Sequence, residues 1–156
     1  MANVHLRGRP AEAHHAPPAW DNVFRDSPSL GYVSATHQRG RDRGPTVWTW
    51  YYPFPGDARK ARTQLAGATY ADWAAVVLAD LERAHPDVRG LVDHIEVAFW
   101  GHGMIRPRVG SMFPASDAAP IGNVHFAHTD LSGLALFEEA FDHGVRAARE
   151  VITRRS

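Results

Sequence analysis

Apolar and small polar residues alternate along residues 30–37. The alternation returns along 46–52, denser in aromatic and β-branched side chains, and this two-residue period predicts two strands. Between them Gln38, Arg39, Gly40, Arg41, Asp42, Arg43, Gly44 and Pro45 make a polar, turn-prone connection, so the pair reads as an antiparallel hairpin. Trp48, Trp50 and Tyr52 fall on one face of the second strand, and Val47, Thr49 and Tyr51 on the other. One face belongs to a core. The other offers an aromatic wall to a ligand, although packing is the commoner use of such side chains.

A 3.6-residue period takes over at residues 70–85. Trp73, Val76, Val77, Leu81 and Ala84 form an apolar stripe, Thr69 and Asp72 have the spacing of a capping box, and Pro86 ends the helix. A shorter helix is expected at 58–65, strands at 91–100 and 123–127, and a last helix at 133–153. That helix carries Leu134, Phe137, Phe141, Val145, Ala148 and Ile152 along one face, with Gly144 and Ala147 allowing close approach of another backbone. Residues 1–19, rich in Ala, Pro, His and Arg, show little periodicity and read as an irregular arm. The fold class is α+β: an antiparallel sheet with helices, followed by one further strand and a long terminal helix.

Composition narrows the function. The chain of 156 residues is large enough for a real core, and 44% hydrophobic content is ordinary for a globular protein. Formal net charge is zero, which gives no field to steer the protein towards nucleic acid or an anionic membrane. All but one of the 17 basic residues are arginine, a bias that reflects codon composition more than function and inflates every apparent arginine cluster, Arg106 and Arg108 included. The absence of cysteine excludes disulfides, thiol catalysis, Cys-ligated zinc and a flavin attached through a cysteine of this chain. Neither a signal peptide nor a stretch of ~20 apolar residues is visible, so a cytoplasmic protein is expected.

The most informative run is Val124-His125-Phe126-Ala127-His128-Thr129-Asp130-Leu131-Ser132-Gly133, leading into the last helix. A helix opened by small residues presents unpaired N–H groups and the positive end of its dipole, which suits a phosphate or a ring carbonyl. Asp130, just ahead of it, is placed to accept hydrogen bonds from hydroxyls. Read as a metal site, the run offers only His128 and Asp130 as converging ligands, because His125 points to the other face of an extended strand. The reading without a metal is favoured. Glu138 and Glu139 are explained by the helix dipole alone. His102, between two glycines and near Trp100, suits either a simple turn or a pocket wall. No nucleophile elbow or Ser/His/Asp set points to a hydrolase.

Phe126-Ala127, Thr129-Asp130, Glu139-Ala140 and Gly144-Val145-Arg146-Ala147-Ala148 together resemble the C-terminal FAD-binding segment of the flavin-dependent amine oxidase superfamily. The order Trp100, then Met104 to Gly110, and the stretches Ser27 to Tyr32 and Val33 to Gln38 extend the resemblance over residues 20–152. It implies a substrate-domain portion at 20–110 and a C-terminal FAD-binding segment at 111–156. Non-covalent FAD would meet His128, Thr129 and Asp130, with Asp130 on its ribityl or pyrophosphate part and N–H groups near Leu136 and Phe137 facing the flavin pyrimidine edge. His128 stands where the family usually has glycine. The implied substrate is a small amine in an aromatic slot walled by Trp48, Trp50, Trp100 and His102, the hard chemistry belonging to the cofactor. Lys60 does not match the lysine some relatives place near flavin N5.

No Gly-x-Gly-x-x-Gly turn opens a helix here, and Gly101-His102-Gly103 has Arg106 where a third glycine would fall. The resemblance therefore implies the back third of a flavoenzyme, either a truncated frame or one subunit of a split enzyme. The missing N-terminal FAD-binding part is then the partner, and the last helix exposes apolar surface in the isolated chain. The competing expectations are a free-standing α+β module that binds a small molecule without redox chemistry, and a metal-dependent enzyme using His128 and Asp130.

Overall fold

The computed structural model describes residues 1–11, 19–35, 40, 43–105, 109–110 and 119–154. The chain divides into two units, residues 1–101 and residues 102–156, each taken by itself below.

The first unit is built on a five-stranded antiparallel sheet. Its strands are β1 (Ala2–Leu6), β2 (Asp21–Asn22), β3 (Gly31–Ser34), β4 (Thr46–Tyr51) and β5 (Val92–Val97), in the spatial order β2-β3-β4-β1-β5. Three helices stand between β4 and β5: α1 (Ala58–Gly67), α2 (Tyr70–Ala84) and α3 (Val88–Leu91). The predicted hairpin is present, with Tyr32 opposite Trp50 and Ser34 opposite Trp48. Helix α2 has its capping box: Asp72 N–H donates to Thr69 Oγ1 (3.2 Å) and Thr69 N–H to Asp72 Oδ2 (2.8 Å). Two orphan donors at the helix start are thereby satisfied.

The first nineteen residues are not simply an irregular arm. Ala2–Leu6 is a strand bonded on both sides, to β4 and to β5, with Ala2, Val4 and Leu6 all buried. Five residues alternating around two polar positions are too short a signal beside an Ala/Pro/His-rich sequence, and two flanking strands supply the hydrogen bonds that make the segment extended. Both ends of the β1/β5 pair are tied by backbone contacts, Ala98 N–H to Met1 C=O (2.9 Å) and Arg7 N–H to Leu91 C=O (2.8 Å).

One face of the sheet carries the core. Ala2, Val4, Leu6, Tyr32, Trp48, Trp50 and Ile95 meet Val77 and Leu81 of α2 and Val88 of α3. The i, i+4 spacing of Trp73, Val77 and Leu81 turns a single stripe of α2 onto that face. Asp80 lies among them, and Tyr70 Oη donates to Ile95 C=O (2.8 Å), fixing the start of the helix against β5.

At the end of α2, His85 Nε2 lies 2.7 Å from Tyr32 Oη, beside a stacked Tyr32–Trp48 pair. Burial pushes the Tyr32 hydroxyl up to about 12, so it stays neutral. Burial also lowers the His85 pKa, against an opposing pull from Asp87. A charged imidazolium would need both N–H groups paired, and Nδ1 is buried with no partner among the described residues. The unfolded chain takes up a proton at His85 near pH 6.5 while the folded chain resists it. Stability should therefore fall as pH drops from about 6.5 towards the lowered folded value, and His85→Gln should flatten that limb in urea midpoints taken across the window. An unchanged slope would show that His85 does not titrate differently on folding.

In the second unit the expected strand at 123–127 does not form. Among the described residues only an isolated bridge joins Ile121 and Val124, with no second extended segment alongside to pair with the rest. The last helix, α4, spans Phe137–Arg154. It starts later than residue 133 because Gly133 has φ of +73°, outside the helical region, and Leu136 N–H closes a short turn on Leu134 C=O (2.9 Å).

Candidate functional site

The element ahead of α4 is a 3₁₀ turn, Thr129–Leu131, held by Ser132 and Gly133 N–H groups on Thr129 C=O (3.2 and 3.1 Å). Asp130 N–H donates to His128 Nδ1 (3.1 Å), which uses that nitrogen's lone pair. Asp130 Oδ1 lies 3.1 Å from the same Nδ1 and becomes its partner only when Nδ1 carries a proton. Both side chains are exposed, at 63% and 62%. His128, Thr129 and Asp130 are thus brought together, with a carboxylate free to accept hydrogen bonds.

Two turns of backbone later stand Leu136 and Phe137, at 52% and 78% exposure. The Leu136 N–H is already given to Leu134, which corrects the expectation that it is open to a ligand; Phe137 is the first residue of α4. Glu138 and Glu139 occupy the first turn. Their charge offsets the positive end of the helix dipole, so this helix start suits the partial charge of a ring carbonyl better than a phosphate.

The apolar stripe of α4 faces solvent. Phe137, Phe141 and Ile152 are exposed, and the two phenyl rings stack on one another 6.2 Å apart. Packing inside the unit uses the other side of the helix. His125 Nδ1 bonds Glu150 Oε2 (2.8 Å), Arg146 pairs with Glu150, and Arg146 Nη2 donates to Phe126 C=O (2.8 Å). His125 first, then Arg146, hold the Glu150 carboxyl below its usual range. A shallow groove of about 530 Å³ runs past Pro120, Val145 and Arg149, but its charged walls include this already paired Arg146 and Glu150.

The proposed aromatic slot is not assembled. Trp48 and Trp50 are 5% and 2% exposed and belong to the core under α2, so they do not wall a substrate pocket. Alternation along β4 identified their shared face; the helix decides that this face is the buried one. The cavity beside Trp50 measures about 20 Å³, room for a single water and no more. Trp100 is exposed just beyond β5, His102 is an exposed residue of the other unit, and Arg106 and Arg108 lie outside the described residues.

Two groupings were not anticipated. Asp80, in a helix stripe that reads as apolar, collects Ser27, Ser29 and Trp50. On the sheet face away from α2, His5, His94 and Glu96 gather their side-chain donor atoms within 4.8 Å. The alternation His94-x-Glu96 was visible, but its convergence with His5 depends on strand register. No family model matches the chain, and no curated protein or solved structure matches it.

Proposed function

We propose that the chain is the C-terminal portion of an FAD-dependent, amine-oxidase-like oxidoreductase of the cytoplasm, incomplete without a part that grips the FAD pyrophosphate. The supporting observation is the turn and helix start at residues 128–137: an accessible carboxylate, Asp130, followed by Leu136 and Phe137 with their apolar surface uncovered. Uncovered large apolar side chains rimmed by polar ones mark a contact surface. A ribityl chain offers hydroxyl donors to Asp130, and an isoalloxazine ring offers a flat apolar face to Leu136 and Phe137 and a carbonyl edge to the start of α4. The two glutamates at that start favour the neutral carbonyl edge, so the pyrophosphate has its site on the partner. The exposed face of α4, through Phe141 and Ile152, is where that partner packs.

The test is a titration of isotope-labelled chain with FAD, followed by amide NMR shifts. Weak binding, on the order of millimolar, should move residues 128–137 and spare the sheet. Asp130→Ala should remove most of the response. Shifts centred elsewhere, or an unchanged response in that variant, would overturn the assignment.

A second reading, a free-standing α+β binding module, is favoured by the closed core of residues 1–101. Its ligand would have to bind outside the buried aromatic face.

A further inference from the structure

We propose that His5, His94 and Glu96 form a binding site for a single divalent transition-metal cation, with zinc the best match, on the sheet face turned away from α2. The site comes from register: His5 is directly opposite His94 in the β1/β5 pair, and Asn3 is opposite Glu96. Side chains at 94 and 96 share a face because residues two apart in a strand do. The imidazoles of His5 and His94 stack with centroids 3.9 Å apart, and all three donor atoms lie within 4.8 Å of one another. A tetrahedral zinc with bonds of about 2.0–2.1 Å holds its ligand atoms about 3.3 Å apart, so small rotations of the exposed His94 and Glu96 side chains close the set.

Two histidines and one carboxylate, all nitrogen and oxygen donors, match zinc and its neighbours and not magnesium or calcium, which prefer oxygen alone.

A second, independent observation is that His5 Nε2 is sealed from solvent and has no hydrogen-bond partner among the described residues. It lies 3.3 Å from Glu96 Oε2, another donor atom of the same set. A buried ring nitrogen without a partner is costly unless something fills its lone pair.

The groups behind the ligands are also in place. Asp93 Oδ2 bonds His94 Nδ1 (2.9 Å), the carboxylate–imidazole arrangement that puts the proton on Nδ1 and turns the Nε2 lone pair outward to a metal. Thr49 Oγ1 donates to Asn3 Oδ1 (2.9 Å), and Asn3 Nδ2 reaches Glu96 Oε2 (3.4 Å), a chain that orients the third ligand. Three protein ligands leave a fourth position facing outwards, the arrangement of a zinc site open to water or a ligand.

The experiment is calorimetric titration of the metal-free chain with Zn²⁺ at neutral pH, with Co²⁺ absorption as a readout of coordination geometry. The expected result is one cation per chain and a tetrahedral Co²⁺ spectrum. His94→Ala and Glu96→Gln should each weaken binding more than tenfold, and Asp93→Asn by about tenfold through loss of ligand orientation. His128→Ala, in the His128–Asp130 pair of the other unit, should leave the zinc affinity and stoichiometry as they are. Far-UV circular dichroism checks folding, and His94→Gln serves if the alanine variant is unstable. Absence of saturable binding, or binding that survives both His94→Gln and Glu96→Gln, would overturn the site.

Discussion

Replacing Asp80 with alanine is expected to destabilise the unit formed by residues 1–101 by about 3–5 kcal/mol, enough to remove a large part of a typical domain's stability. The carboxylate is 8% exposed and accepts from Ser27 Oγ (2.6 Å), Ser29 Oγ (2.6 Å) and Trp50 Nε1 (2.8 Å), with the mostly exposed Arg83 at 3.5 Å. Hydrogen bonds to a charged group are worth about 1.5–3 kcal/mol each, while the solvated arginine adds little. Removal leaves the Trp50 indole N–H buried without an acceptor and frees the 27–29 loop from α2. Asp80→Asn should cost less, because the shape is kept and the serine hydroxyls can rotate to accept from its amide. Burial by itself would raise the Asp80 pKa; Ser27, Ser29 and Trp50, helped by Arg83, outweigh it and hold the carboxyl below its usual range. Its contribution is therefore fully present above the unfolded value of about 3.9 and is lost as pH falls through the lower folded value. Urea midpoints followed by tryptophan fluorescence would check the order wild type, Asp80→Asn, Asp80→Ala. A cost under about 1 kcal/mol for the alanine variant would mean that this network does not hold the loop to the helix.

Asp80 also shows where sequence patterning stops being informative. Helix α2 was legible in detail because Thr69, Asp72, its stripe and Pro86 are local signals, each acting within one or two turns. The β3/β4 hairpin was legible for the same reason. What alternation along β4 does not carry is the side on which a helix will lie, so Trp48 and Trp50 read both as core, the commoner use, and as walls of a pocket. Strand β1 was hidden because its evidence is non-local: Ala2, Val4 and Leu6 make sense only between β4 and β5, some ninety residues away at β5. The converse error fell at 123–127, where an apolar run has no partner strand among the described residues. The same division holds for chemistry. The closeness of His128 and Asp130 follows from a two-residue spacing, whereas the grouping of His5 with His94 and Glu96, and of Asp80 with Ser27 and Trp50, requires tertiary register.

Gly31→Ala is expected to cost about 3–4 kcal/mol, far more than the same substitution at Gly56. Gly31 has φ of +86°, and a Cβ built there would lie 1.9 Å from the Asn22 carbonyl oxygen and about 3 Å from the Asn22 carbonyl carbon and Phe24 nitrogen. Those are backbone atoms, so no side-chain rotation relieves the clash; the β2/β3 pairing of Asn22 with Tyr32 has to move instead. The left-handed conformation itself costs a residue with a Cβ about 1–2 kcal/mol. Gly56 isolates that term, since its φ is +88° and nothing among the described residues lies within 4 Å of its added Cβ. Gly56→Ala should therefore lose only about 1–2 kcal/mol, and the excess at Gly31 measures the close approach. The displacement at Gly31 also reaches the Asp80 network, because Gly31 N–H donates to Ser29 Oγ (3.0 Å), and that hydroxyl donates on to Asp80 Oδ2. Chemical denaturation of the two variants side by side gives the comparison. Equal losses would mean that β2 yields without cost, and that Gly31 is needed for its φ alone.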